Sequence, residues 1–283
     1  MKIGFNMLLW AGHVTEEHFP VFEKLKAAGY DGVEIPIFDT SDPAHFSTIG
    51  QVAKDNGLDV CAVTICPTDE QSLISTEASH RQAGVDHLKT VVECAANAGV
   101  ENICGPYYQE LCNFTGTGPT EDEKAWAAEG HRQMADAAQD ADIRLTIEAL
   151  NRFECHFLNT MEQANAYVKQ VNHPNFFTMY DTFHANIEEK DPLGVIEPNL
   201  DVIQHVHISA NDRGTPGKDH TPITETIHIF KRNGYDNWMV IEAFGNALPD
   251  LAAATRVWRP LFESPEEVYT FGLKHIQDAL ASA

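Results

Sequence analysis

Positive charge is scarce in this sequence. Against 42 Asp and Glu stand only 19 Lys and Arg, a formal net charge of -23 over 283 residues. Such a surface repels a phosphate backbone, so nucleic acid is excluded as the expected partner. Long apolar runs are also missing. None approaches the ~20 residues a membrane-spanning helix needs, so no membrane partner is expected. The opening stretch MKIGFNMLLW has a single Lys and no small-residue cleavage site, reads as a first strand rather than a leader, and points to a cytoplasmic protein. The six cysteines (Cys61, Cys66, Cys94, Cys104, Cys112, Cys155) form no C-x-x-C pair, so neither disulfides nor a zinc–thiolate site is expected. No Pro/Gly/Ser-rich linker or block of like charge divides the chain, which is read as one domain spanning 1–283. A hydrophobic content of 43% excludes a disordered chain.

What is present is alternation. Apolar runs rich in β-branched residues alternate with longer stretches of helical period, the pattern of repeated βα units. Strands are expected at Ile3–Trp10, Gly32–Phe38, Leu58–Ile65, Val100–Gly105, Arg144–Glu148, Phe176–Asp181, Val202–Ile208 and Trp238–Ala243. Helices are expected at about Thr15–Ala28, Pro43–Asn56, Glu77–Ala98, Glu121–Ala141, from a cap at Asn159 or Thr160 to Val171, and Thr224–Arg232, with a last one starting near Ser264-Pro265. Eight strands and about eight helices make the chain an α/β protein, a (β/α)8 TIM barrel. An open doubly wound sheet is the alternative, weakened because it binds at a single crevice, whereas here four successive strands each carry a polar group to the same end.

Those four groups are Glu148 in RLTIEALNRFE, Asp181 at the end of FFTMYD, His207 in IQHVHI and Glu242 in WMVIEA. Taken singly each has an ordinary explanation: a solvated strand-end acid, a turn cap, a satisfied core histidine. Glu242, between Ile241 and Ala243, is the hardest to excuse as an unpaired charge. In a parallel barrel the four strand ends open on one mouth, and two Glu, one Asp and one His there compose a hard, oxygen-rich site for a divalent metal. The four residues do not choose among Mn2+, Mg2+ and Co2+; Mn2+ is the ion expected, with Mg2+ and Co2+ as the alternatives. His205 and Glu34 are expected to point inward behind these ligands. Most of the 14 histidines, including His18, His45, His80, His87 and His131, are expected on solvated helix or loop surfaces.

Taken with NRFE (Asn151 to Glu154), DTFHANIEE (Asp181 to Glu189), the H-x-H and NDRGTPG run (His205 to Gly217), IEAF (Ile241 to Phe244) and VWR (Val257 to Arg259), the chain resembles the ketose 3-epimerases, the D-tagatose and D-psicose (allulose) 3-epimerase group within the xylose isomerase-like TIM barrels. The resemblance implies metal ligands at Glu148, Asp181, His207 and Glu242. It also implies that Glu154, His184 and Arg213 grip the O1 and O2 end of the sugar, and that the protein is a homo-oligomer, a dimer or tetramer. The sequence departs from the group at Lys218-Asp219-His220 and in the segments expected to touch the far end of the sugar (Phe5 to Trp10, Ala62 to Pro67, Gly105 to Gln109). The particular ketose is therefore left open.

The residue types suit the chemistry that the resemblance implies. Inverting C3 of a 2-ketose through an enediolate needs a divalent cation and two bases on opposite faces of a planar intermediate, roles open to Glu148 and Glu242. Arg213 cannot act as a base but can hold oxygens, and His184 can reach the same carbonyl. The alternative is a keto-sugar or aldose–ketose isomerase on the same barrel. A metal-dependent nuclease would want a basic face, and a mere sugar-binding protein has no need of paired bases. A phosphorylated substrate is disfavoured because GNALPDLAAAT, after the last strand, lacks a Gly-rich anion cradle.

Overall fold

The computed structural model describes residues 1–283. Eight parallel strands, β1 (Lys2–Asn6), β2 (Gly32–Pro36), β3 (Asp59–Val63), β4 (Val100–Gly105), β5 (Arg144–Ile147), β6 (Phe176–Asp181), β7 (Ile203–Ile208) and β8 (Trp238–Ile241), pair in chain order, and β8 closes on β1. Nine helices surround them: α1 (Phe19–Ala28), α2 (His45–Asp55), α3 (Ala78–Ala98), α4 (Glu121–Asp140), α5 (Met161–Val171), α6 (Thr182–Glu188), α7 (Ile223–Arg232), α8 (Pro249–Thr255) and α9 (Pro265–Ser282). The chain is thus a (β/α)8 TIM barrel, and no helix is long and apolar enough to cross a membrane.

Local signals set most element ends. Gly29, at φ 111°, ends α1 in the left-handed conformation that an L side chain adopts only with strain. Thr120 with Glu123, and Thr160 with Gln163, form capping boxes that start α4 and α5. Ser264 accepts from Glu267 N, with Pro265 in the first turn of α9. The strands come out shorter than the apolar runs. Ile3–Trp10 breaks after Asn6, because its side-chain oxygen accepts from Leu8 N and starts a 3-10 turn over Met7–Leu9. Two short helices had no counterpart in the periodicity: α6, in the acidic stretch after β6, and α8, inside GNALPDLAAAT. Seven residues are too few for a helical pattern to stand out.

Apolar residues pack between the strands and the helix ring, but the inside of the barrel toward its C-terminal mouth is polar. Asn6, Glu34, Asn102, Thr146, His205 and His207 are all buried there, with Cys61 and Cys104. Barrels of this kind usually fill that space with layers of branched aliphatic side chains. The β6–β7 register sets Asp181 opposite His207, and the β7–β8 register sets Ile208 opposite Ile241, so three candidate ligands reach the mouth at similar height.

Candidate metal centre and substrate pocket

Glu148 and Glu242 each sit one residue past a strand end, held by a last ladder bond: Glu148 N donates to Gly105 O (3.1 Å) and Glu242 N to Ile208 O (3.2 Å). Gly105 can serve this purpose because it has no side chain. At φ 121° a Cβ would lie 2.1 Å from Thr64 O, so β4 closes against the β3 exit only with glycine here. Asp181 ends β6 and caps α6, its Oδ1 accepting from Phe183 N (2.6 Å) and His184 N (3.3 Å). That leaves Oδ2 buried without a hydrogen-bond partner.

His207 is fully buried on β7, its Nε2 2.8 Å from Glu34 Oε1. Its Nδ1 has no hydrogen-bond partner and lies 3.5 Å from Asp181 Oδ2 and 3.4 Å from Glu242 Oε1. Glu148, Asp181 and His207 offer ligand atoms all within 4.8 Å of one another. Two orphaned buried atoms facing the same point, amid three carboxylates and an imidazole, fit a hard divalent cation, since buried polar atoms are otherwise nearly always paired.

The electrostatics carry the strain of this crowding. Burial raises the Glu148 carboxyl well above its ordinary value, and the nearby charges of Asp181 and Glu242 add to the shift against the opposing pull of His207 and Arg213. Glu242 is pushed up to about 7, chiefly by burial and by Asp181. Asp181 goes the other way: burial opposes its charge, but the neighbouring His184, His207 and Arg213 bring it down to about 2. Burial works against a charged His207 too, yet the Glu34 and Glu242 carboxylates raise it well above the usual imidazole range.

The three residues expected at the sugar line the same pocket. Arg213 is buried, Nη1 donating to Glu242 Oε2 and Nη2 to Glu154 Oε1, both at 3.0 Å. Its guanidinium lies 3.8 Å from the centre of the Phe183 ring and 4.9 Å from that of Phe244. Its backbone, at φ 68°, occupies the left-handed region, unusual outside glycine. His184 Nδ1 accepts from Asn151 N (2.9 Å), so the ring proton sits on Nε2, which lies 3.6 Å from Glu148 Oε1. Asn151 Nδ2 also donates to Glu154 Oε1 (2.8 Å). In the sequence Asn151 is marked only as the first letter of NRFE, and Asn6, which bonds Glu34, only as a polar residue at the end of the first apolar run. Glu34 and His205 point inward, as expected.

The pocket has a cavity of about 500 Å³ with two unlike sides. Glu148, Glu154, His184, Arg213 and Glu242 form the polar side, from β5 to β8 and the loops that follow. Facing them are Leu8, Phe38, Val63, Ile65 and Leu111, from the exits of β1 to β4, with Leu251 of α8. The segments that depart most from the resemblance thus supply much of the apolar side.

Over residues 22–274 the sequence matches the family described as xylose isomerase-like TIM barrel. It is similar to the ketose 3-epimerase of Arthrobacter globiformis, 32% identical across 100% of this chain and 98% of that protein. To the D-psicose 3-epimerase of Agrobacterium fabrum it is 31% identical, over 92% of this chain and 91% of that one. Among solved structures, D-psicose 3-epimerase from Clostridium cellulolyticum H10 with D-tagatose aligns with a TM-score of 0.87 at 25% identity, over 98% of this chain and 97% of that one.

Proposed function

Since the chain belongs to the ketose 3-epimerases of the xylose isomerase-like TIM barrels, and is an isomerase acting on carbohydrates, we propose that it inverts C3 of a free, non-phosphorylated ketose, with Glu148 and Glu242 as the acid/base pair. The observation that carries this reading is the placement of both carboxylates on one pocket, each beside the orphaned ligand atoms of Asp181 and His207. A divalent cation held by Glu148, Asp181, His207 and Glu242, Mn2+ before Mg2+ or Co2+, supplies Lewis-acid stabilisation of the negative charge that develops on the ketose.

One Glu takes the C3 proton, and the C–H electron pair moves into the C2–C3 bond while charge gathers on O2 of the cis-enediolate. The other Glu returns a proton to the opposite face, and the roles exchange in the reverse direction. His184, with its proton on Nε2, is a donor toward O2 and cannot also be a base there. Arg213 adds donors to the same end and ties Glu242 to the sugar-gripping Glu154. The reading also takes the enzyme to be a cytoplasmic homo-oligomer; six free thiols suit a reducing compartment.

Deuterium incorporation tests the proposal against an aldose–ketose isomerase. Incubated in deuterated water with metal and a panel of free ketoses, the protein should label C3. Glu148→Gln and Glu242→Gln should each lose net epimerisation and wash label into opposite epimers, since the remaining carboxylate still exchanges the proton it faces. Label confined to C1 in all three proteins would remove the 3-epimerase reading.

A further inference from the structure

Glu34 lies beneath the pocket on the inward face of β2, wholly out of solvent. Five side-chain groups converge on its carboxylate: Asn6 Nδ2 and His207 Nε2 on Oε1, both at 2.8 Å, and His205 Nε2 (2.8 Å), Cys104 Sγ (3.2 Å) and Cys61 Sγ (3.5 Å) on Oε2. An isolated carboxylate at such depth is unfavourable; hydrogen bonds from Asn6, His207, Cys104 and Cys61, with the His205 ring at ion-pair distance, make it tolerable.

We propose that Glu34 is the positioning residue of the metal centre: by accepting from Nε2 of His207 it fixes the proton there and presents the Nδ1 lone pair to the cation held with Asp181 and Glu242. An imidazole offers one lone pair when neutral, and the partner of one nitrogen decides which nitrogen that is. Nδ1, the nitrogen with no hydrogen-bond partner, is the one that faces the carboxylates. Asn6 extends the brace, its Nδ2 lying 2.8 Å from Glu34 Oε1 and 3.5 Å from Glu242 Oε1, so a second ligand leans on the same carboxylate. Glu34 is itself pinned from behind. His205 Nδ1 is 3.2 Å from Asn102 Nδ2, which donates to Thr146 Oγ1 at 3.0 Å, a chain running across β7, β4 and β5. The rival is that Glu34, Cys104, His205 and His207, compact enough to hold an ion, form an inner metal site. That site would take Nε2 of His207 and leave Nδ1 and Asp181 Oδ2 facing each other unpaired, so the hydrogen-bonded arrangement is the one adopted here.

The proposal rests on the metal set proposed above, and Asp181→Asn serves as the control for that set. Mn2+ affinity is measured by chelator competition for wild type, Glu34→Gln, Glu34→Ala and Asp181→Asn, alongside the melting temperature of each metal-stripped protein. Imidazole nitrogens are observed by 15N NMR in the Zn2+-loaded wild type. Both Glu34 variants should bind metal about 10- to 100-fold more weakly while still melting cooperatively, and His207 should show a protonated Nε2 and a ligating Nδ1. Wild-type affinity in folded Glu34 variants overturns the proposal, as does ligation through Nε2 with Cys104 as thiolate. If neither variant folds, the wild-type spectrum decides alone. Unchanged affinity in Asp181→Asn indicts the metal set instead of Glu34.

Discussion

Arg213 combines three features that seldom occur together: a left-handed backbone, a buried guanidinium and two carboxylate partners. Strain of about 1–3 kcal/mol at such a position persists only where the surroundings enforce it, and here Phe244 N donates to Arg213 O at 2.8 Å while two rings enclose the fork. Arg213→Ala should lower kcat by the equivalent of roughly 2–4 kcal/mol, by analogy with loss of an oxyanion donor, and leave metal content near normal. Loss of the metal, or wild-type kinetics, would contradict this role. Arg213→Lys should recover little, because a point charge cannot span Glu154 and Glu242 as a planar fork does. Residues like Arg213 and Glu148 are legible in sequence because a charged group at a strand exit or in a motif is conspicuous. Asn6 and Asn151 are not, since what they do depends on partners 28 and 33 residues away.

At the level of elements, the capped helices and the strands came out near the periodicity because their signals are local. The errors came where tertiary packing decides. His131 was expected on a solvated surface, but α4 buries Ala127, His131, Met134, Ala135 and Ala138 on one face, and the imidazole is fully enclosed beside Tyr167 OH (2.6 Å) and Tyr107 O (3.4 Å). The spacing of those residues places His131 on the apolar stripe, a signal outweighed by the polarity of the residue itself. Burial lowers its pKa to about 3, against 6.5 when exposed. Below pH 6.5 the unfolded chain therefore binds a proton that the folded chain refuses, and stability declines as pH falls toward 3. Between pH 7 and pH 5 this linkage amounts to about 2 kcal/mol. In urea unfolding, wild type should lose about that much more over the interval than His131→Gln does; equal losses would show that the ring takes up a proton while folded. The helices α6 and α8 escaped for a different reason: at seven residues each they are too short to show a helical period.

On the scale of the whole molecule, 42 acidic against 19 basic residues already strain the compact state, and Glu148 adds a carboxyl whose folded pKa is raised by burial and then by Asp181 and Glu242. For a raised carboxyl the stabilising contribution is present at low pH and is lost as pH climbs from the unfolded value through the folded one. Stripped of metal at pH 8, Glu148→Gln should therefore melt above wild type. Saturating Mn2+ should reverse that order, because an ion at about a thousand times its Kd adds about 4 kcal/mol to the protein that binds it best. A metal-free Glu148→Gln that melts lower than wild type would remove the claim that the carboxylates repel. The two-sided pocket has a consequence of another kind. Leu150, Phe244 and the residues at and on α8 aside, the apolar lining belongs to the first four βα units, and the charged groups at the barrel mouth belong to the last four. A gene recombined within α4 would thus exchange most of the apolar wall and inherit the charged groups intact, so descendants of one ancestor could change what the pocket admits without rebuilding its charged end.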